Sequence, residues 1–284
     1  MADATMAGRL RPGDHVCWTY ADDAERRRIT AACVRAGLRD RHKVLWCTLD
    51  LEPAAALAEL EDAGIRTSAA VRAGRLTVMT AASSYLVSGS FDAEATCRIW
   101  PDEFRRARRE GYAGMRVLGD MSWAGGTTPG ADRVGWYELQ VNHILADGYA
   151  LGICLYDRRR FTGDTLTTLC RAHPVTLSER SSAREPLLRI IRTRAGLRLS
   201  GEADVSNRDA LATMLGAAID EPADRPVVAL DLSELCFADA ATGKLIVDAG
   251  RRAGGRLRIT AARPPVHRLL AQFGGEAVPG LLSC

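Results

Sequence analysis

The chain has 284 residues, 47% of them apolar and 26% charged, with 38 basic and 35 acidic side chains giving a net charge of +3. That length and composition favour two ordinary globular domains, each long enough to bury a core, and the small net charge excludes nucleic-acid binding by bulk electrostatics. The opening MADATMAGRL lacks the apolar centre of a signal peptide, and no stretch reaches ~18 apolar residues, so a cytoplasmic protein with no membrane attachment is expected.

In chain order, residues 1–12 read as a loose leader. His15–Tyr20 (HVCWTY) is a strand candidate, and Asp22 and Asp23 cap a helix running to about Gly37. Lys43–Leu49 is a continuous apolar run, as in a buried parallel strand. Pro53 opens the next helix and Gly64 ends it. Arg75–Thr80 is a third strand, 81–92 a polar loop, and Ala93–Glu110 a helix with a break expected at Pro101. Met115–Gly119 forms a fourth strand ending at Asp120. A Gly- and Thr-rich segment that reads as an active or binding loop follows at Trp123–Asp132, then a helix at Val134–Ala146, a fifth strand at Ala150–Tyr156 and a helix at Thr165–Ala172. Strands alternating with helices imply an α/β domain with a mainly parallel sheet, whose ligands bind beyond the carboxyl ends of the strands. Those ends carry Tyr20, Asp50, Asp120 and Asp157.

Polar residues 178–186 read as a linker. A smaller domain follows at 187–276, with strands at Leu187–Thr193, Leu197–Leu199, Pro226–Asp231 and Arg256–Thr260 and helices at Asn207–Asp220, Ala241–Ala253 and Val266–Phe273; 277–284 form a tail. The basic runs Arg26–Arg28, Arg105–Arg109 and Arg158–Arg160 read as solvated helix faces. The eight cysteines, Cys17, Cys33, Cys47, Cys97, Cys154, Cys170, Cys236 and Cys284, are widely spaced with no C-x-x-C pair, so they read as free thiols packed like small apolar side chains.

The stretch Val227–Gly243 (VVALDLSELCFADAATG), with Leu199–Asp204 (LSGEAD) upstream, resembles the STAS domain of anti-sigma factor antagonists across about residues 187–275. The resemblance implies a protein-binding surface at Asp239, Ala240, Ala241 and Thr242, with an anti-sigma factor kinase or another STAS-domain protein as partner. It also implies a phosphorylated serine, but Ala240 stands at that position and Ala241 at the next. Alanine has no hydroxyl to modify, so the family's phosphoserine switch is expected to be missing. Asp239 serves equally as a plain helix N-cap.

Across about residues 8–177 the chain resembles the MEDS sensory family, named after methanogens, methylotrophs and a dichloromethane-responsive regulator. The carrying segments are Gly13-Asp14-His15, Gly37-Leu38, Tyr85-Leu86-x-x-Gly89-x-Phe91-Asp92, Met115–Trp123, Tyr137-Glu138-x-x-x-Asn142, Cys154-x-Tyr156-Asp157 and His173-Pro174. The resemblance implies a RecA-like fold at 13–177 serving as a sensor for a small molecule or a partner.

The polar and aromatic residues that could line one ligand pocket are His15, Tyr20, Tyr85, Asp120, Trp123, Glu138, Asn142 and His173; Glu138 and Asn142, four apart, share a helix face. By type, His15, His143 and His173 with Asp120 or Glu138 could ligate a metal, but their spacing carries no metal-site pattern, and no cofactor is expected. The competing reading is a degenerate RecA-like nucleotide-binding enzyme or ATPase using Asp120 and Glu138. Against it, no G-x-x-x-x-G-K-[ST] occurs, and the first strand runs into acidic Tyr20–Glu25, which repels triphosphate. The function expected is therefore a non-enzymatic regulatory protein, with a sensory domain acting through a STAS-like one. Self-association is left open.

Overall fold

The computed structural model describes residues 2–181, 187–221 and 227–282. The chain folds as two compact units: Met1–Leu169 with Thr176–Glu185, and Pro186–Cys284 with the short stretch Cys170–Val175 grouped to it. Part of the expected linker, residues 182–186, lies outside the described residues, as do Pro226 and residues 283–284 of the expected tail.

The first sheet contains β1 (His15–Tyr20), β2 (His42–Thr48), β3 (Leu76–Thr80), β4 (Gly114–Asp120), β5 (Ala150–Asp157) and β6 (Val175–Leu177), in the order β3-β2-β4-β5-β1-β6. The pairs β2–β3, β2–β4, β4–β5 and β1–β5 are all parallel. Strands β1, β4 and β5 are buried along their whole lengths, which is why they read as unbroken apolar runs rather than alternating ones. The expected RecA-like arrangement of a mainly parallel sheet with flanking helices is what the chain forms.

The flanking helices are α1 (Ala2–Arg9), α2 (Asp23–Arg39), α3 (Pro53–Asp62), α4 (Thr67–Arg72), α5 (Ala93–Arg109), α6 (Val134–Leu145) and α7 (Gly163–Arg171). Side-chain caps from Asp22 to Glu25 N and from Asp92 to Ala95 N start α2 and α5. Several expectations are corrected. The leader is helical, and Met6, Ala7 and Leu10 are buried. Helix α5 runs unbroken through Pro101: its apolar stripe of Thr96, Trp100, Phe104 and Ala107 stays packed, which offsets the one lost backbone bond. Gly37 does not close α2 but sits inside it, where a Cβ would lie 2.6 Å from a Val44 methyl, so the glycine is what lets helix and sheet approach.

The second unit contains β7 (Arg189–Arg192), β8 (Gly196–Ala203), β9 (Val228–Ala238) and β10 (Leu257–Ala262), in the order β10-β9-β8-β7, with α8 (Arg208–Asp220), α9 (Ala240–Arg252) and α10 (Pro264–Gln272). Strand β7 is antiparallel to β8; the other pairs are parallel. The segment expected as a loop after Asp231 continues β9 to Ala238, because β8 extends far enough to pair with it as far as Ala203–Ala238. Among the described residues, no helix is long and apolar enough to cross a membrane.

Leu10, 1% exposed beside α1, tests whether the leader is structural. Leu10→Ala should destabilise the first unit by about 2–4 kcal/mol, read from urea unfolding; a loose leader would leave the midpoint unchanged.

Candidate functional site

At the carboxyl edge of the first sheet, the ends of four strands open onto a polar cleft of about 530 Å³ lined by Tyr20, Thr48, Asp120 and Asp157 together with Asp23, Arg26, Asp50, Arg159 and Arg160. The Tyr20 hydroxyl donates to Asp120 Oδ2 at 3.0 Å and lies 3.3 Å from Ser122 Oγ; Ser122 N donates to Asp120 Oδ1 at 3.0 Å. Burial pushes the Asp120 carboxyl above the usual range, against the hydrogen bonds from Ser122 and Tyr20. Burial, reinforced by the Asp120 charge, also raises Tyr20. Burial acts on Asp157 in the same upward sense, but the Arg159 side-chain and backbone hydrogen bonds outweigh it and hold that carboxyl low.

Where a phosphate loop would present free N–H groups, carboxylates already fill the positions. Asp22 Oδ1 accepts from Glu25 N at 2.8 Å, and Glu25 Oε2 reaches back to Ala21 N at 2.7 Å. This is a reciprocal cap that satisfies the start of α2 from within. The basic runs lie on ion pairs: Arg26 with Glu59, and Arg159 with Asp157 and Asp23.

A second polar group is buried inside the sheet. His15 opens β1, Cys154 sits midway along β5, and Glu138 and Asn142 project from one face of α6, as their spacing predicts. His15 Nδ1 lies 2.9 Å from Asn142 Oδ1, and its Nε2 lies 3.2 Å from Glu138 Oε2 and 3.4 Å from Cys154 Sγ. Cys154 Sγ donates to Glu138 Oε2 at 3.4 Å, and the Tyr156 hydroxyl donates to Glu138 Oε1. Burial, with Glu138 next to it, drives the thiol of Cys154 and the phenol of Tyr156 well above their usual ranges. His173, fully buried two residues before β6, completes the group.

The third feature is aromatic. Tyr85, Phe91, Trp100, Trp123 and Tyr137 pack with ring centroids 4.7–6.4 Å apart, and Trp100 Nε1 donates to the Tyr137 hydroxyl at 2.8 Å. Gly119 makes room for the Tyr85 hydroxyl, which would lie 2.5 Å from a Cβ there. Beside this cluster, between α5 and strands β2–β4, lies an apolar pocket of about 310 Å³ lined by Cys47, Met79, Tyr85, Ile99, Trp100 and Met115 among others. Burial lifts the Cys47 thiol to about 11, with a Ser84 hydrogen bond opposing.

The eight residues expected to line one pocket therefore separate. Tyr20 and Asp120 face the polar cleft; Tyr85 and Trp123 belong to the aromatic cluster; His15, Glu138, Asn142 and His173 form the buried polar group. The reason is the parallel sheet: residues at strand ends meet the cleft, whereas a strand start such as His15 and the inward face of α6 meet below it. Trp123 is 4% exposed, because its glycine-rich loop packs down, with Gly130 against the Phe91 carbonyl. Cys154, Tyr156 and Glu25 escaped sequence reasoning as site residues, although Cys154 and Tyr156, two apart on a strand, share a face. In the second unit, Asp239 caps α9 by accepting from Thr242 N at 2.7 Å, Ala240 is exposed, and Thr242 is buried with its hydroxyl donating to Ala203 O at 3.3 Å. Phe237 and Val205 are exposed large apolar side chains of the same unit.

Asp120→Asn tests the cost of the buried carboxyl. With its folded value raised, the wild-type protein loses stability as pH rises from the ordinary carboxylate range through that raised value. The variant should be the more stable protein at neutral pH in urea unfolding, and the gain should fade on acidification. Equal stability at neutral pH would contradict this.

Residues 14–174 match the family described as MEthanogen/methylotroph, DcmR Sensory domain, and residues 188–282 match the family described as Mlab, STAS domain. Among solved structures, a KaiC-like protein from Pyrococcus horikoshii is similar at 13% identity and a TM-score of 0.42, covering 67% of this chain and 79% of that one. The flagellar accessory protein FlaH from Methanocaldococcus jannaschii is similar at 10% identity and a TM-score of 0.43, covering 70% and 81%. No curated protein matches the chain. The buried polar group, the aromatic cluster and the polar cleft all lie within the segment matched first, and the chain belongs to the MEDS sensory-domain family, with a STAS domain following.

Proposed function

We propose that the protein is a non-enzymatic bacterial signalling protein of the cytoplasm, whose MEDS domain binds a small apolar molecule and whose STAS domain passes the result on by binding a protein partner. The observation that carries the ligand half is the apolar pocket of about 310 Å³, with Tyr85 and Trp100 in its wall. A concave site of this size, mainly apolar and with Lys43, Glu103 and Arg106 among its lining residues, suits a small, weakly polar guest. The non-enzymatic half is supported by the reciprocal Asp22–Glu25 cap, which leaves the start of α2 little to offer a phosphate. It is supported too by the separation of Asp120, which lines the cleft, from Glu138, which is buried with His15 and Cys154. An ATPase using both carboxylates needs them in one site.

The partner proposed is an anti-sigma factor kinase or another STAS-domain protein, bound around Asp239, Ala240, Ala241 and Thr242. The exposed Phe237 and Val205 would supply apolar contact. With alanine at 240 and the Thr242 hydroxyl turned inward, regulation would enter through the MEDS domain rather than through modification of α9. A guest can only signal by binding one conformation better than another.

Two experiments test this. A panel of small apolar molecules should raise the melting temperature of the full chain, magnesium–ATP should not, and Met79→Trp, which fills the pocket, should abolish the shift. Hydrolysis of magnesium–ATP that Asp120→Ala removes would overturn the non-enzymatic reading. In a pull-down from native cytosol, the full chain should retain a kinase or STAS-type protein, and Phe237→Asp should weaken that retention at least tenfold. Equal capture by both chains would remove the proposed surface.

A further inference from the structure

We infer that His15, Glu138, Cys154 and His173 form a binding site for one zinc-class divalent metal ion, buried within the MEDS domain. Their ligand atoms all lie within 4.8 Å of one another. The separations of 3.2 Å from His15 Nε2 to Glu138 Oε2, and of 3.4 Å from Cys154 Sγ to each of those atoms, match the edges of a zinc tetrahedron. Bonds of about 2.0–2.3 Å give edges of roughly 3.3–3.7 Å. Three donors thus already stand near the corners that a central ion would occupy.

The surrounding groups orient them. Asn142 Oδ1, 2.9 Å from His15 Nδ1, accepts the proton there and leaves the Nε2 lone pair directed at Glu138 and Cys154. The Tyr156 hydroxyl holds Glu138 Oε1, so Oε2 is the oxygen turned toward the thiol and imidazole. Outer partners of this kind fix the tautomer and aim of metal ligands. Two imidazoles, one thiolate and one carboxylate select zinc-class ions over magnesium or calcium, which prefer all-oxygen sites. Charge agrees: a 2+ ion with one thiolate and one carboxylate is neutral overall, and only a neutral assembly is tolerable with side chains at 0–7% exposure. On binding, Cys154 S–H exchanges its proton for the metal, and the proton leaves to solvent. Four protein donors make a closed site, which implies an ion that ties α6 to β1 and β5 rather than one that activates water.

Cobalt(II) is the probe. One equivalent added to the metal-free full chain should give intense tetrahedral d–d bands and a thiolate-to-cobalt charge-transfer band, and zinc should bleach both. Cys154→Ser should lose the charge-transfer band, whereas Cys236→Ser, which removes an exposed thiol, should keep it. Since a substitution in the core can prevent folding, the melting temperature of the wild-type chain is the second readout. Zinc should raise it by several degrees and a chelator should reverse the gain. A featureless cobalt spectrum with an unchanged melting temperature, or a charge-transfer band that survives in Cys154→Ser, overturns the assignment. Neither readout depends on whether the apolar pocket takes a guest.

Discussion

Glu138 is a carboxylate with no access to solvent in the middle of the first domain, and the rest of that domain is arranged around its needs. Taking such a group out of water costs several kcal/mol unless each oxygen is met by a donor. Tyr156 donates to one oxygen and Cys154 to the other, with the His15 ring packed beside them. That requirement fixes the rotation of α6 over β1 and β5. The neighbouring residue, Tyr137, is thereby turned toward Trp100 of α5, whose ring walls the apolar pocket. The polar core and the apolar pocket are thus linked through α6 by the Trp100–Tyr137 hydrogen bond.

The α/β class, the parallel strands and the two-domain order were legible because each rests on local chemistry: apolar runs of strand length, Asp caps at α2 and α9, and turn residues between elements. What the sequence hid is non-local. The buried face of α1 shows only when α2 is packed on it. Pro101 argues for a break that Trp100 and Phe104 override by packing. The length of β9 depends on β8 lying alongside. The polar core is half legible: the Glu138–Asn142 spacing points to a shared face, but nothing local links that face to Cys154, sixteen residues on, or to His15 at the other end of the domain. A thiol inside an apolar strand reads as packing until its neighbours are known.

The same contrast between placed and available groups runs through the second domain. Thr242 follows Ala240 closely, yet its hydroxyl is committed to the Ala203 carbonyl, while the backbone turn at Asp239 keeps the geometry of a capped helix start. The helix start is therefore capped as the sequence predicts, while position 240, where the family resemblance implies a serine, carries no hydroxyl. Under the proposed reading, a surface of fixed shape would distinguish partners by fit and by the exposed Phe237, not by a charge added and removed.

Cys47 lines the apolar pocket, and its thiol stays protonated far above neutrality, at about 11. Near neutral pH only about one such thiol in ten thousand is thiolate, the form that attacks electrophiles. Cys47 is therefore poorly placed to attack an electrophilic guest. If the pocket takes the guest proposed for it, occupancy would be reversible at Cys47 and would leave no adduct on that thiol.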